Sequence, residues 1–166
     1  MPSEMNYYDE TARNYNELHG EEQLAKLRII AEHIKVKKST KLLDVGCGSG
    51  LSAKVFKCNI TGIDPSEKLL QQCPFKAIKA SAESIPFSDH SFDVVIAVTC
   101  IHNFKNIKKG LEEIRRVGKN CFVFSLLKRS QNLQCILKLI SRLYSVSSSL
   151  DQEVDLVLFC GPKACE

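Results

Sequence analysis

Two aspartates and three glycines are the residues whose types and spacing first suggest chemistry. In LLDVGCGSG, residues 42–50, Asp44 stands two residues before Gly46, and Gly48 and Gly50 follow at alternate positions around Cys47 and Ser49. Asp64 comes twenty residues after Asp44, at the end of the stretch NITGID. Ordering a glycine costs more backbone entropy than ordering any other residue. Three within five positions therefore imply a tight turn whose backbone must come close to a ligand. A carboxylate closing the next strand can accept hydrogen bonds from both hydroxyls of a ribose. Together these point to a nucleoside-bearing ligand. The blander alternatives are an ion pair for Asp44 and a helix cap for Asp64.

The spacing narrows the ligand. Dinucleotide sites use G-x-G-x-x-G and lead into a helix N-terminus that receives a pyrophosphate. Here the spacing is G-x-G-x-G, with a carboxylate two residues ahead of it. That carboxylate is badly placed for a pyrophosphate and well placed for an ammonium group. S-adenosylmethionine carries an ammonium, a carboxylate, a ribose and an adenine, and no phosphate. The helix expected after the loop would add N–H groups and a positive dipole end.

The elements that must position these residues follow from hydrophobic periodicity. Leu24, Leu27, Ile30, Ala31 and Ile34 predict an amphipathic helix over 21–35, preceded by a short helix or ordered arm. Short apolar runs predict strands at 41–46, 59–64, 75–80, 91–99, 120–127 and 153–160. Between them, helices are expected over 51–57, 66–73 after Pro65, 106–118 and 132–145, with a turn at Ser147, Ser148 and Ser149. Apolar strands alternating with helices imply an α/β fold: a mostly parallel sheet of about six strands with helices on both faces. The chain of 166 residues is read as one domain. Its parts are an N-terminal helical arm (1–38), a cofactor-binding core (39–128) and a short C-terminal helix and strand (129–166).

With GIDPSEKLL and ASAESIPFSDHSFDVVIAV added to the glycine stretch, the sequence resembles the class I S-adenosylmethionine-dependent methyltransferases, with their Rossmann-like fold. It is most similar to the branch that includes quinone-biosynthesis C-methyltransferases and small RNA modifiers. The resemblance implies that Asp44 meets the cofactor's amino group and that Gly46, Cys47 and Gly48 pass beneath its methionine part. Asp64 would hold the ribose, with Ile63 or Pro65 beside the adenine. Relatives usually carry Asp-Ala before the E-x-x-P-F segment, the Asp meeting the adenine amino group; Ser81 and Ala82 stand there in this chain. Tyr8 and Tyr15 resemble the aromatic arm that closes over the cofactor; packing against the following helix is the alternative.

The acceptor is expected at the end of the fourth strand, in VTCIHNFKN. An exocyclic amine of cytosine or adenine is a poor nucleophile because its lone pair is delocalised into the ring. A side-chain amide oxygen can accept its protons, and an aromatic ring can stack on the base and fix its angle. Asn103 and Phe104 could supply these two parts. His102 could serve as a general base or as a neutral wall residue. The prolines usual in amino-methylating relatives are missing. YNELHGEEQ together with IHNF is also similar to small archaeal enzymes that methylate the N4 amine of a ribosomal RNA cytidine. That resemblance implies RNA, ribosomal RNA or a ribosomal subunit, as partner, with a small activator subunit as a further candidate. A small-molecule C- or O-methyltransferase and a non-catalytic cofactor-binding subunit are the alternatives.

Charge fits a polyanionic partner. The net charge is +4, but residues 1–34 hold seven acidic against three basic residues, and residues 105–129 eight basic against two acidic. The second segment reads either as a docking surface centred on Arg115, Arg116, Lys128 and Arg129 or as a solvated helix face. Eight cysteines occur without any C-x-x-C pair, several inside apolar runs. Reduced thiols and no metal site are expected, and with no secretory leader or membrane span in the sequence the expected place is the cytoplasm.

Overall fold

The structure, a computed structural model, describes residues 15–164; side chains are described from residue 20 onward. Helix α1 (Tyr15–His33) precedes strand β1 (Lys41–Val45), a 3-10 turn (Leu51–Lys54) and β2 (Asn59–Asp64). A one-turn helix α2 (Glu67–Leu70) leads to β3 (Lys76–Lys79) and β4 (Phe92–Val98). A second 3-10 turn (Ile101–Asn103), helix α3 (Ile107–Val117) and β5 (Gly118–Leu127) follow. Helix α4 (Leu133–Leu143), β6 (Tyr144–Asp151) and β7 (Asp155–Pro162) complete the order.

The seven strands form one sheet in the order β3-β2-β1-β4-β5-β7-β6. The first five run parallel, and β7 is antiparallel to both β5 and β6. Period-two alternation sends side chains to both faces. Leu42, Val94, Ile96 and Val123 bury against Leu27 and Ile30 of α1 and Phe56. Leu43, Val45, Val95, Ala97, Phe122 and Phe124 bury against Leu111 and Ile114 of α3 and Ile136 and Ile140 of α4. The helix periodicity read for 21–35 is realised, with Leu24, Leu27 and Ile30 all buried. No helix among the described residues is long and apolar enough to cross a membrane.

Three elements differ from expectation. The serines at 147–149 are not a turn but the middle of β6, paired with β7 across a bulge between Val146 and Ser148. An edge strand exposed along nearly its whole length needs no apolar side chains, so composition carried no sign of it. This is the seventh strand, one more than the sequence suggested. The helix expected over 51–57 is only the four-residue 3-10 turn. Eight residues separate Gly50 from β2, and at about 1.5 Å per residue a helix that long cannot recross a strand of five or six residues. The helix dipole invoked for the glycine loop therefore has no full helix behind it. The helix expected over 66–73 likewise shrinks to α2, capped by the Ser66 hydroxyl, which accepts from the Leu69 N–H at 3.4 Å.

Candidate active site

Asp44, Asp64 and Thr99 all lie at or just past the carboxyl ends of β1, β2 and β4, on one edge of the sheet. A cavity of about 450 Å³ opens there, lined by Asp44, Gly46, Cys47, Gly48, Asp64 and Pro65 on one side and Thr99, Cys100, Asn103 and Phe104 on another. Its size is that of a small-molecule site.

The glycine loop is a cradle that side chains would fill. Gly46, Gly48 and Gly50 have φ of 72°, 52° and 81°, the left-handed region that glycine enters without strain. A Cβ on Gly46 would lie 2.8 Å from the Cys100 Cβ. The turn is fixed by the Gly46 and Cys47 N–H groups, which donate to the Ile63 carbonyl at 2.8 and 3.1 Å. Asp64 ties loop to strand: its Oδ2 accepts from the Gly48 N–H at 2.9 Å and its Oδ1 from the Ser66 N–H at 2.8 Å. A carboxylate has about four lone-pair directions, so two backbone donors do not exhaust it for a ribose. Ser66, not Asp64, caps α2.

Asp44 is buried and accepts one hydrogen bond, from the Ser52 hydroxyl at 2.6 Å. No cation among the described residues pairs with it. Burial, against the pull of the Ser52 hydrogen bond and with a smaller push from the Asp64 charge, raises its carboxyl to about 6. A buried carboxylate without a counter-charge is a fit for a ligand ammonium, and the glycine cradle and Asp64 fit a methionine chain and a ribose. S-adenosylmethionine binding should therefore weaken by about tenfold per pH unit below about 6, and be flat above it. Below that point Asp44 must lose its proton to receive the cation. Calorimetry from pH 5 to 8 measures this, and in Asp44→Asn the dependence disappears. The same shift acts on folding. The folded state holds this proton more tightly than the unfolded chain, so ionising Asp44 costs the ligand-free protein on the order of 3 kcal/mol as pH rises from about 4 to about 6.

Ser81 and Ala82 line the cavity next to Glu83. The Glu83 Oε1 accepts from the Asn106 N–H at 3.0 Å and so joins this segment to the loop after β4. Burial pushes the Glu83 carboxyl up, but the N–H groups of Asn106, Glu83 and Lys105 and the Ser81 hydroxyl bring it below the usual carboxylate range. Cys47 and Cys100 also face the cavity, and burial, then the Asp44 and Asp64 charges, keep both thiols protonated. Neither can supply a thiolate nucleophile at neutral pH.

On the acceptor side the residues separate. Asn103 and Phe104 line the cavity; His102, half-buried in the same 3-10 turn, is not among its lining residues. Phe104 packs against the hydrophobic core and rests on α3 where Gly110 leaves room, because a Cβ there would lie 2.5 Å from the ring. Gly110→Ala should therefore displace the ring. We expect acceptor methylation to fall at least tenfold while cofactor affinity stays within twofold, measured by single-turnover assay and calorimetry. Tyr8 lies outside the described residues. Tyr15 is the first residue of α1, and its side chain also lies outside them. The part of α1 that does line the cavity is Gln23 and Leu27, which the sequence reading assigned to packing alone or left unnoticed.

The basic rim needs correction. Helix α3 runs back against the strands, so Arg115 and Arg116 lie at the opposite end of the sheet from the cavity. Arg116 staples the 85–89 loop there, donating to the carbonyls of Ile85 at 2.9 Å and Phe87 at 2.7 Å and pairing with Glu113 and Asp89. The Arg116 guanidinium in turn holds the Glu113 carboxyl below its usual range. Arg115 donates to the Lys163 carbonyl at 3.1 Å and lies over the Phe122 ring. Spacing in the sequence could not show this, because it does not say at which end of an antiparallel return a charge falls. Lys105 lines the cavity, and Lys108, Lys109, Lys128 and Arg129 lie toward its end of the sheet.

The sheet order, the glycine cradle after β1 and the acid closing β2 define the class I methyltransferase fold, whose cofactor is S-adenosylmethionine. Residues 43–121 match the family model described as the methyltransferase domain. An uncharacterized protein of Methanocaldococcus jannaschii is 33% identical over 125 residues, 71% of this chain and 48% of that one. The malonyl-[acyl-carrier protein] O-methyltransferase of Erwinia pyrifoliae is 30% identical over 120 residues, 68% of this chain and 45% of that enzyme. The chain thus spans about half the length of these curated relatives. Among solved structures, a methyltransferase in complex with the Haloferax volcanii Trm112 methyltransferase activator superposes with a TM-score of 0.81 at 14% identity, each chain covered to 98%.

Proposed function

We propose that the protein N-methylates a base in RNA, with a ribosomal RNA cytidine N4 amine as the first candidate and a tRNA base as the second. The observation that carries the reading is Asn103 and Phe104 side by side in the wall of the cofactor cavity. When bound, S-adenosylmethionine supplies an electrophilic methyl group on a sulfonium. Asp44 and Asp64 anchor the ligand by its ammonium and its ribose. The Asn103 amide oxygen would accept a hydrogen bond from the target amine and favour a pyramidal nitrogen, while the Phe104 ring fixes the angle of the base; methyl transfer leaves S-adenosylhomocysteine, and the amine proton goes to water. His102, which does not line the cavity, has no catalytic part in this reading. Lys105, Lys108, Lys109, Lys128 and Arg129 supply the phosphate-facing charge in place of the Arg115–Arg116 pair, so replacing them should flatten the salt dependence of RNA binding. The target base must be unpaired or flipped to reach the cavity.

Two further parts of the reading are also proposals. The superposition with a methyltransferase in complex with an activator supports a small activator subunit as partner. Seven described cysteines without a disulfide suit a reducing compartment such as the cytoplasm. A second substrate reading, a small-molecule O- or C-methyltransferase, is favoured by the likeness to the acyl-carrier-protein enzyme. Mass spectrometry of nucleosides and of small metabolites from a deletion strain tests the two together. A methylated nucleoside missing from RNA supports the first reading. Unchanged RNA with an altered metabolite supports the second and overturns the first.

A further inference from the structure

Beside the cavity, at the acceptor end of β4, the backbone makes a turn that its sequence does not favour. Thr99 has φ of 54°, a left-handed conformation that β-branched residues rarely hold. It is the point at which the chain leaves β4 and swings Cys100 to Phe104 across the cavity. Such conformations persist where neighbours over-determine them, and they gather at functional sites.

The neighbours are unusual. The Thr99 N–H donates to the Ser125 carbonyl at 3.0 Å, and its hydroxyl lies 3.2 Å from that of Ser125, which is buried in β5. The same hydroxyl accepts from the Lys26 ammonium at 3.3 Å. Lys26 is a buried lysine, its side chain 7% exposed, reaching in from α1. It pairs with Glu22 at 2.8 Å and with Asp155, the first residue of β7, whose side chain is 1% exposed. No other hydrogen-bond donor among the described residues reaches the Asp155 carboxylate. Burying two charges is costly, and replacing such a pair by apolar residues is often neutral or stabilising.

We propose that Lys26 and Asp155 are positioning residues for the methyl acceptor, acting through Thr99. Asp155 and Glu22 fix the Lys26 ammonium, and the ammonium fixes the Thr99 hydroxyl. The held hydroxyl keeps the left-handed turn that presents Asn103 and Phe104 to the cavity. The inference rests on the reading of those two residues as the acceptor side. Thr99, which itself lines the cavity, becomes a candidate contact for the acceptor.

Removing Lys26 alone would strand the Asp155 charge, so the test variant is Lys26→Met with Asp155→Leu. Amide hydrogen exchange of the full chain is read over residues 99–106 and, separately, over α1. In the double variant we expect exchange over 99–106 to rise at least tenfold. Adding Thr99→Gly should cancel most of that rise, because glycine holds a positive φ without support. A rise of the same size with and without Thr99→Gly, or a rise confined to α1, means that the pair only fastens α1 to the sheet and overturns the proposal. Should the double variant not fold, Thr99→Ser and Thr99→Val decide: protection kept with serine and lost with valine supports the hydroxyl's role, and equal protection overturns it. The exchange experiment needs no acceptor. A wild-type chain that methylates no RNA would therefore defeat the RNA reading and leave this result standing. Where RNA is methylated, kcat in the double variant falls about tenfold with the KM for cofactor unchanged.

Discussion

Asp64→Ala binds S-adenosylmethionine about a hundredfold more weakly than the wild-type chain, a change near 3 kcal/mol, and also unfolds at lower denaturant. Both effects follow from one carboxylate with two kinds of partner. The Gly48 and Ser66 N–H groups that donate to it at 2.9 and 2.8 Å lose a charged acceptor in a buried place. A hydrogen bond to a charged group contributes about 1.5–3 kcal/mol, and leaving its buried partner unsatisfied costs a similar amount. The glycine cradle then loosens at the same time as the ribose loses its acceptor. Asp64→Asn restores one of the two acceptors but turns its NH2 toward the other backbone N–H, so it regains only part of the stability while affinity stays low. Calorimetry and urea titration on both variants measure this. Equal affinity in Asp64→Ala and wild type would remove the ribose assignment.

On the RNA reading proposed above, Asn103→Ala should lower the single-turnover rate of methylation about a hundredfold, or roughly 2.7 kcal/mol, and leave RNA affinity nearly intact. Contacts made in the transition state alone behave this way. Phe104→Leu instead weakens productive base placement by about 1–3 kcal/mol, the scale of a base–aromatic stack. His102→Ala leaves the pH profile of the rate unaltered, as a residue outside the cavity lining should; loss of the acidic limb would make His102 a general base. Full single-turnover activity in Asn103→Ala would remove the amine-acceptor geometry and put the small-molecule reading first.

The glycine turn after β1 and the acid closing β2 were legible because they are written locally. A left-handed turn demands glycine, and a strand-end acid twenty residues on is a spacing that the strand–turn–strand unit sets. What was not legible depends on where distant segments meet. Lys26, Thr99 and Asp155 are scattered over more than a hundred positions, and none belongs to a recognisable pattern. Arg116 was counted toward a surface charge, yet the return direction of α3 places it in a staple at the far end of the sheet. The edge strand β6 escaped notice because its exposed serines carry no hydrophobic period. The helix after the glycine loop was overestimated because its length was judged by composition rather than by the eight residues available.

The pairing of β7 between β5 and β6 bears on how the chain is made. Synthesis runs from β5 to β6 and then β7, but β5 has no partner on its outer side until β7 exists. Until residues 155–160 have emerged, the stretch from Phe122 to Leu127 presents a row of unpaired backbone groups beside the largest rings of the core. Such an edge is a template for strand addition by another chain. The nascent protein is thus most prone to aggregate in the interval between β5 and β7, with five strands already laid down. Shortening that interval, or a chaperone that covers the β5 flank, should raise the yield of folded protein more than stabilising the finished sheet would.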